Sequence, residues 1–188
     1  IVLIYIMPSL TFEYLEKNMP INYSCFVETG TYKGRTILGM EKHFEELHTI
    51  ELKLEFYEDA KKLSDKINFH HGDSSKKLNE LCPKLDKDTI FFLDGHWSAG
   101  NTAKGDKDCP IYEELECIMK NFKHKCCIII DDVRLFGRSP YDYNNFDITD
   151  WKDITREKVL HIVKDRLTNH YYRESELDPE DRLFLFLD

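Results

Sequence analysis

Six acidic side chains stand at, or just after, the ends of five short apolar runs of the sequence. They are Glu28, Glu51, Asp73, Asp94, Asp131 and Asp132. If these runs are parallel strands, their carboxyl ends share one rim of a sheet, where doubly wound proteins bind their ligands. Like charges on one rim repel each other unless ligands, metal ions or hydrogen-bond donors offset them. The pattern therefore predicts an acid-rich binding site for a cationic ligand or a metal ion.

The first apolar run continues into the segment Glu28-Thr-Gly-Thr-Tyr-Lys-Gly34. Gly30 and Gly34 permit a tight turn from strand to helix and a close approach of the backbone to a ligand. The spacing differs from the pyrophosphate-binding fingerprint GxGxxG, and the acid at its start opposes a pyrophosphate. The alternative is an ordinary strand-turn-helix with a surface glutamate.

Two further acids favour an adenosine-type ligand. Glu51 ends the second apolar run, where an acid can accept hydrogen bonds from both hydroxyls of a ribose. Asp73 lies in Gly72-Asp-Ser74 and can accept from an adenine amino group. The alternative for this segment is a helix cap at Ser74 or Ser75.

The remaining three acids predict a metal site. Asp94 ends one apolar run, and Asp131 and Asp132 end the next. Three carboxylates converging from neighbouring strand ends suit Mg²⁺, which prefers oxygen ligands. The alternative is that Asp131 caps the following loop and that Asp132 is solvated.

His96 follows Asp94 by two residues and is our candidate general base, because an ordinary histidine pKa of ~6.5 suits proton acceptance near neutral pH. The alternative is that His96 orients Asp94 or stacks on Trp97. Lys104 and Lys107, in the polar loop that follows, are other candidates for the base. The composition of that loop favours a polar acceptor.

The apolar runs alternate with amphipathic stretches, which predicts βα repeats and a parallel sheet covered by helices on both faces. The predicted strands are 24–28, 47–52, 67–71, 89–94 and 126–131, followed by 171–176 and 183–187. Only a turn joins the last two, so they should form a hairpin in which one strand is antiparallel to the rest. Leu160, Val163 and Leu167 mark a last helix before it. We thus expect an α/β, doubly wound, mostly parallel seven-stranded sheet.

The order of the Glu28 glycine motif, Ile-Glu51-Leu and Gly-Asp73-Ser resembles the class I S-adenosylmethionine-dependent methyltransferases over residues 25–132. The resemblance implies a Rossmann-like fold. It places Glu28 and the Gly30 turn at the methionine moiety, Glu51 at the ribose, and Asp73 with Ser74 near the adenine. The full set of cofactor-binding residues that we expect is Glu28, Gly30, Thr31, Tyr32, Gly34, Glu51, Asp73, Ser74 and His96.

Tyr32 stands where many members of that family have a third glycine. A Thr-Tyr pair there is similar to the small metal-dependent O-methyltransferases of catechol and macrolide-sugar type. In that subgroup a metal ion chelates two vicinal substrate oxygens, which implies Mg²⁺ or a similar divalent cation on Asp94, Asp131 and Asp132. The chain departs from the catechol-type pattern at His96, because the base of that type is a lysine shortly after the metal-binding aspartate.

The expected function is methyl transfer from S-adenosylmethionine to a hydroxyl of a polar small molecule, such as a sugar or glycan. Two other classes stay open. A NAD-type oxidoreductase is favoured by Glu51 and opposed by the missing GxGxxG. The alternative of a non-catalytic nucleotide-binding domain is opposed by the convergent carboxylates, because a domain that has lost its activity does not need them.

Composition bounds the partners of the chain. Its 188 residues suit one domain, with residues 1–19 as an N-terminal extension. The net charge of −9 repels nucleic-acid backbones. The longest apolar run, residues 1–7, is far shorter than the ~20 residues of a membrane span. The six cysteines indicate reduced thiols, so we expect a cytoplasmic protein; homo-oligomers stay open.

Overall fold

The computed structural model of the protein describes residues 10–97, 105–138 and 151–188. Its strands are β1 (Cys25–Thr29), β2 (Glu46–Glu51), β3 (Asn68–His71), β4 (Thr89–Leu93), β5 (Cys126–Ile130), β6 (Leu167–Arg173) and β7 (Arg182–Leu187). They form one seven-stranded sheet in the order β3-β2-β1-β4-β5-β7-β6. Strand β7 runs antiparallel to both of its neighbours, and the other six strands are parallel to one another. The predicted fold class is confirmed.

Helices follow the strands as the amphipathic stretches predict. They are α1 (Phe12–Asn18), α2 (Arg35–Met40), α3 (Leu54–Ala60), α4 (Ser74–Leu81), α5 (Ile111–Asn121) and α6 (Arg156–Val163). Every residue of β1, β4 and β5 is buried, as expected for strands covered on both faces. One core cluster packs Val27 and Phe91 against Leu115 of α5, and the other packs Phe26 and Ile90 against Leu15 of α1. The described part of segment 1–19 therefore packs on the sheet.

The last helix and the strand after it begin and end elsewhere than the spacing predicts. Leu167 fits the helical period of Leu160 and Val163, but α6 ends at Val163 and Leu167 begins β6. Leu167 pairs with Leu187 across the hairpin, so the sheet takes the apolar side chain that the period assigned to the helix. The guanidinium of Arg166 donates to the carbonyls of Phe122 and His124, which holds the chain at this turn.

The structure bears on the expected reduced thiols and on the expected absence of a membrane span. All six cysteines are free thiols. Within the described ranges, no helix has both the length and the apolar character needed to cross a membrane.

Candidate functional site

The glycine-containing turn between β1 and α2 lies where the strand order reverses. Strand β1 sits between β2 and β4 in the sheet, so the turn after Thr29 opens at the crevice where doubly wound sheets bind ligands. Gly30 has φ +86°, and a Cβ there would lie 2.3 Å from the carbonyl oxygen of Asp94. Gly34, with φ +70°, is the N-cap of α2. Both positions favour glycine because of their positive φ, and at Gly30 the neighbour that approaches closely is the backbone of Asp94.

Glu51 fastens this turn to the end of β2. One carboxylate oxygen, Oε2, accepts from the backbone N–H of Tyr32 at 2.8 Å, and Oε1 accepts from that of Lys53 at 2.7 Å. The residue is only 6% exposed. A carboxylate has about four acceptor sites, and within the described ranges only these two hydrogen bonds use those of Glu51. The geometry gives Glu51 a positioning role in the turn and leaves it able to hold a ribose.

Glu28 is not a surface acid. Its side chain is buried in β1, where Oε2 accepts from the hydroxyl of Thr49 at 2.7 Å. A second hydroxyl, that of Thr31, lies 2.6 Å from Thr49 Oγ1. Burial raises the pKa of Glu28 well above its ordinary value, and the nearby charges of Asp94 and Glu51 raise it further. The buried site thus disfavours the charged form of this carboxyl.

Asp73 caps helix α4, a role that the sequence had suggested for Ser74 or Ser75. Its Oδ1 accepts from the backbone N–H of Lys76 at 3.1 Å and from the hydroxyl of Ser75 at 2.6 Å. Ser74 is the first helical residue and is buried. Burial alone would raise the pKa of Asp73, but these hydrogen bonds outweigh burial and lower it. Asp73 is thus an ionised cap on the candidate adenine side of the rim.

His96 lies between two carboxylates. Its Nε2 is 2.8 Å from Asp132 Oδ2, and its Nδ1 is 3.5 Å from Asp94 Oδ1. Burial would lower the pKa of His96, but Asp132 and Asp94 outweigh it and raise the pKa to about 9. The ring packs edge-on against Trp151, not Trp97, with centroids 4.9 Å apart. At neutral pH this residue is an imidazolium that bridges the ends of β4 and β5.

Two arginines neutralise the acids after β5. Because Ile130 pairs with Leu183 in the antiparallel register, Arg182 falls beside Asp131, and its Nε donates to Oδ1 at 3.1 Å. Arg134 forms ion pairs with Asp132 and, at 2.7 Å, with the buried Asp181. Neither Asp181 nor Arg182 was predicted, because only the hairpin register brings them to this rim.

This arrangement does not fit the predicted Mg²⁺ site on Asp94, Asp131 and Asp132. Among the described residues, the potential ligand atoms of these three acids do not form one group. Asp94 and Asp132 cluster with His96, and Asp131 and Asp132 cluster with Asp181, whose carboxylate pairs with Arg134. A Mg²⁺ ion takes oxygen ligands and retains waters. Here an arginine or an imidazolium already satisfies Asp131 and Asp132, so a cation bound there would meet like charge.

Glu114 is a buried acid that the sequence analysis missed. It lies on α5, 1% exposed, and burial raises its pKa to about 7 although hydroxyls of Ser74 and Thr29 lie near. Its Oε1 makes no hydrogen bond of acceptable geometry within the described ranges. A signal was available, since Glu114 stands three residues after Ile111 and four before Ile118, on the apolar face of the helix.

The structure describes only one of the two lysines that are alternative candidates for the base. Lys104 lies outside the described residues. Lys107 is exposed and forms an ion pair with Glu113 at the start of α5.

Comparisons with known proteins give the fold. Neither a scan against protein-family models nor a search of curated proteins found a match. Among solved structures, the chain is similar to the S-adenosylmethionine-bound amino pentose methyltransferase CalS10 from Micromonospora echinaspora (10% identity, 89% of this chain and 84% of that one, TM-score 0.59). It is also similar to the N-methyltransferase NodS from Bradyrhizobium japonicum (15% identity, 88% and 86%, TM-score 0.56).

A third similar structure shows that the likeness establishes the fold and not the reaction. Spermidine synthase from Thermotoga maritima matches at 13% identity and a TM-score of 0.57, over 89% of this chain and 54% of that one. At these identities the comparisons establish a shared architecture, the Rossmann-like fold of class I S-adenosylmethionine-dependent methyltransferases. Enzymes with different reactions use this fold, so the reaction has to be argued from the site.

Proposed function

We propose that the protein is an S-adenosylmethionine-dependent methyltransferase. The proposal rests on the Gly30 turn, which lies where the strand order reverses and lacks the pyrophosphate fingerprint. The carboxylate of Glu51 holds this turn and, within the described ranges, has two acceptor sites left. This is a place for an adenosine ribose beside a closely approaching backbone, without the glycines that a pyrophosphate needs. The adenine then lies toward Asp73 and Ser74, and the methionine end lies along the turn that contains Thr31 and Tyr32.

The proposed acceptor is a hydroxyl of a polar small molecule, such as a sugar or glycan. The polar composition of segment 98–108 supports it, as does the likeness to CalS10, an amino pentose methyltransferase. Most of the rate enhancement would come from holding the acceptor oxygen, the methyl carbon and the sulfur in line.

His96 is the proposed base. Asp132 holds Nε2 at 2.8 Å and so orients the ring, while the 3.5 Å contact from Nδ1 to Asp94 is long enough for an acceptor hydroxyl to replace. Because the pKa of His96 is about 9, the neutral form that accepts a proton becomes more abundant toward that pH. Methyl transfer should therefore accelerate with rising pH. No step is assigned to a metal ion, since the acids at this rim do not fit one.

Calorimetry with S-adenosylhomocysteine, in parallel with NAD⁺, tests the cofactor. We expect the protein to bind S-adenosylhomocysteine and not NAD⁺, and Glu51→Ala to weaken that binding about tenfold to a hundredfold, because a charged acceptor is lost. The control is Glu55→Ala, since its side chain is 72% exposed on α3. Binding of NAD⁺ alone would favour the oxidoreductase. Cofactor binding without transfer from labelled S-adenosylmethionine to a panel of sugars and amines would favour the non-catalytic domain.

A further inference from the structure

A cysteine, a glutamate and a histidine meet at the amino ends of β1 and β2. Cys25 and Glu46 are register partners at the first position of these parallel strands, and His48 follows Glu46 by two residues, on the same face of the sheet. One potential ligand atom from each of the three side chains lies within 4.8 Å of the other two. Because the Gly30 turn follows the opposite end of β1, this cluster lies apart from the rim that the proposed function uses.

The cluster is buried on one side and open to solvent on the other. Cys25 is fully buried and His48 is 7% exposed, whereas the side chain of Glu46 is 27% exposed. Lys87 lies 3.4 Å from Oε2 of Glu46, which leaves Oε1 directed at His48. Burial lowers the pKa of His48, so its ring is neutral where the ring of His96 is an imidazolium. A cation can therefore enter beside Glu46 without meeting a charged histidine.

Both ring nitrogens of His48 have a partner with which the proton can be exchanged. Nε2 lies 2.8 Å from Glu46 Oε1, and Nδ1 lies 3.0 Å from Nε2 of His70 on β3. When the Nε2 proton is donated to the Glu46 carboxylate, Nδ1 accepts from His70. A cation on Nε2 requires the opposite arrangement, in which Nδ1 carries the proton and His70 accepts it. Metal-binding histidines commonly donate their second N–H to a neighbouring acceptor in this way.

The three donor atoms select the kind of cation. Thiolate sulfur, imidazole nitrogen and carboxylate oxygen are the ligands that proteins use for Zn²⁺, whereas Mg²⁺ and Ca²⁺ take oxygen ligands. Bonds of about 2.0–2.3 Å in a tetrahedron place the ligand atoms about 3.3–3.6 Å apart. This separation is within the 4.8 Å limit that the cluster meets.

We propose that Cys25, Glu46 and His48 form a Zn²⁺ site that links the first turns of the sheet between β1 and β2. The ligand atoms are Cys25 Sγ, Glu46 Oε1 and His48 Nε2, and the thiol proton passes to solvent when the ion binds. The fourth tetrahedral position is left to a water molecule on the exposed side of Glu46. The inference is independent of methyl transfer, because none of these residues belongs to the cofactor rim.

Cobalt(II) is the probe, because it takes the same ligands as Zn²⁺ and absorbs in the near ultraviolet when a thiolate binds it. The reduced protein, first treated with chelator, should bind one equivalent of Co²⁺ with this absorption, and Zn²⁺ should displace it. Cys25→Ser should lose the absorption. His70→Gln should keep it and bind about tenfold to a hundredfold more weakly, as an outer partner of a ligand does, and Glu46→Gln should lose more than that.

Matched variants separate this site from other sources of metal binding. Cys117→Ser removes a half-buried thiol of α5, and Glu45→Gln changes the exposed acid beside Glu46, so both should bind Co²⁺ as the unchanged protein does. Circular dichroism reports whether each variant folds, and the partly exposed Glu46 keeps the test decisive if Cys25→Ser does not. Absence of binding, binding without the thiolate absorption, or equal binding by Glu46→Gln would overturn the proposal.

Discussion

The ion pair between His96 and Asp132 makes the stability of the protein depend on pH. The pKa of His96 is about 9 in the folded chain, against an ordinary value of 6.5. A raised histidine pKa stabilises the fold fully below pH 6.5, and this contribution is lost as the pH rises through about 9. At about 1.4 kcal/mol for each pH unit, the difference corresponds to about 3 kcal/mol of the free energy of unfolding. The lowered pKa of Asp132 describes the same ion pair and is not added to it.

Urea unfolding measured from pH 6.5 to pH 9 tests this value. The unchanged protein should lose about 3 kcal/mol more over this range than Asp132→Asn and His96→Gln, because in these variants the imidazolium no longer has its main partner or is absent. The buried thiols and Glu114 also make stability fall with pH, because burial raises their pKa above that of the unfolded chain, but they do so equally in every variant. His161→Gln, which changes an exposed histidine of α6, should behave as the unchanged protein does. An unfolding free energy that stays constant over this range, or the same slope in Asp132→Asn, would refute the ion pair.

Two further changes test the turn and the acids of the rim. Gly30→Ala should lower the free energy of unfolding by more than about 2 kcal/mol, because φ is +86° and the new Cβ meets the Asp94 carbonyl. The control is Gly39→Ala in α2, where a Cβ would have nothing within 4 Å. This change should be neutral or stabilising by about 0.5–1 kcal/mol. Asp131→Asn should cost about 1–3 kcal/mol, because it leaves the Arg182 guanidinium without its carboxylate. Excess chelator should leave methyl transfer unchanged; loss of activity that Mg²⁺ restores would instead establish the metal-assisted mechanism.

The sequence was informative wherever a local pattern determines local structure. Continuous apolar runs identify β4 and β5 because strands covered on both faces have no polar side. The glycines at 30 and 34 predict the turn because other residues are strained at positive φ. Leu167 shows the limit of this reasoning. An apolar residue at helical spacing also fits a strand, and the pairing with Leu187, distant in sequence, decides between the two.

The partners of the rim acids depend on register and backbone shape, which a linear pattern does not contain. Arg182 reaches Asp131 because β7 pairs with β5 in one particular register. Asp132 adopts φ +58°, unusual for a residue other than glycine, and pairs with His96 from a neighbouring loop. A spacing that places three acids at adjacent strand ends therefore predicted proximity and not the partners that these side chains take.

The sequence raised the question of what offsets so many acids on one rim, and the structure answers it differently for each. Burial raises the pKa of Glu28, and two backbone amides donate to the carboxylate of Glu51. The cations that were expected from a metal come instead from the side chains of the protein around Asp131 and Asp132. Glu114 has the hydroxyls of Ser74 and Thr29 near its carboxyl, and burial raises its pKa to about 7. Because arginines and an imidazolium already pair with the acids after β5, the proposed mechanism relies on His96 and not on a metal ion.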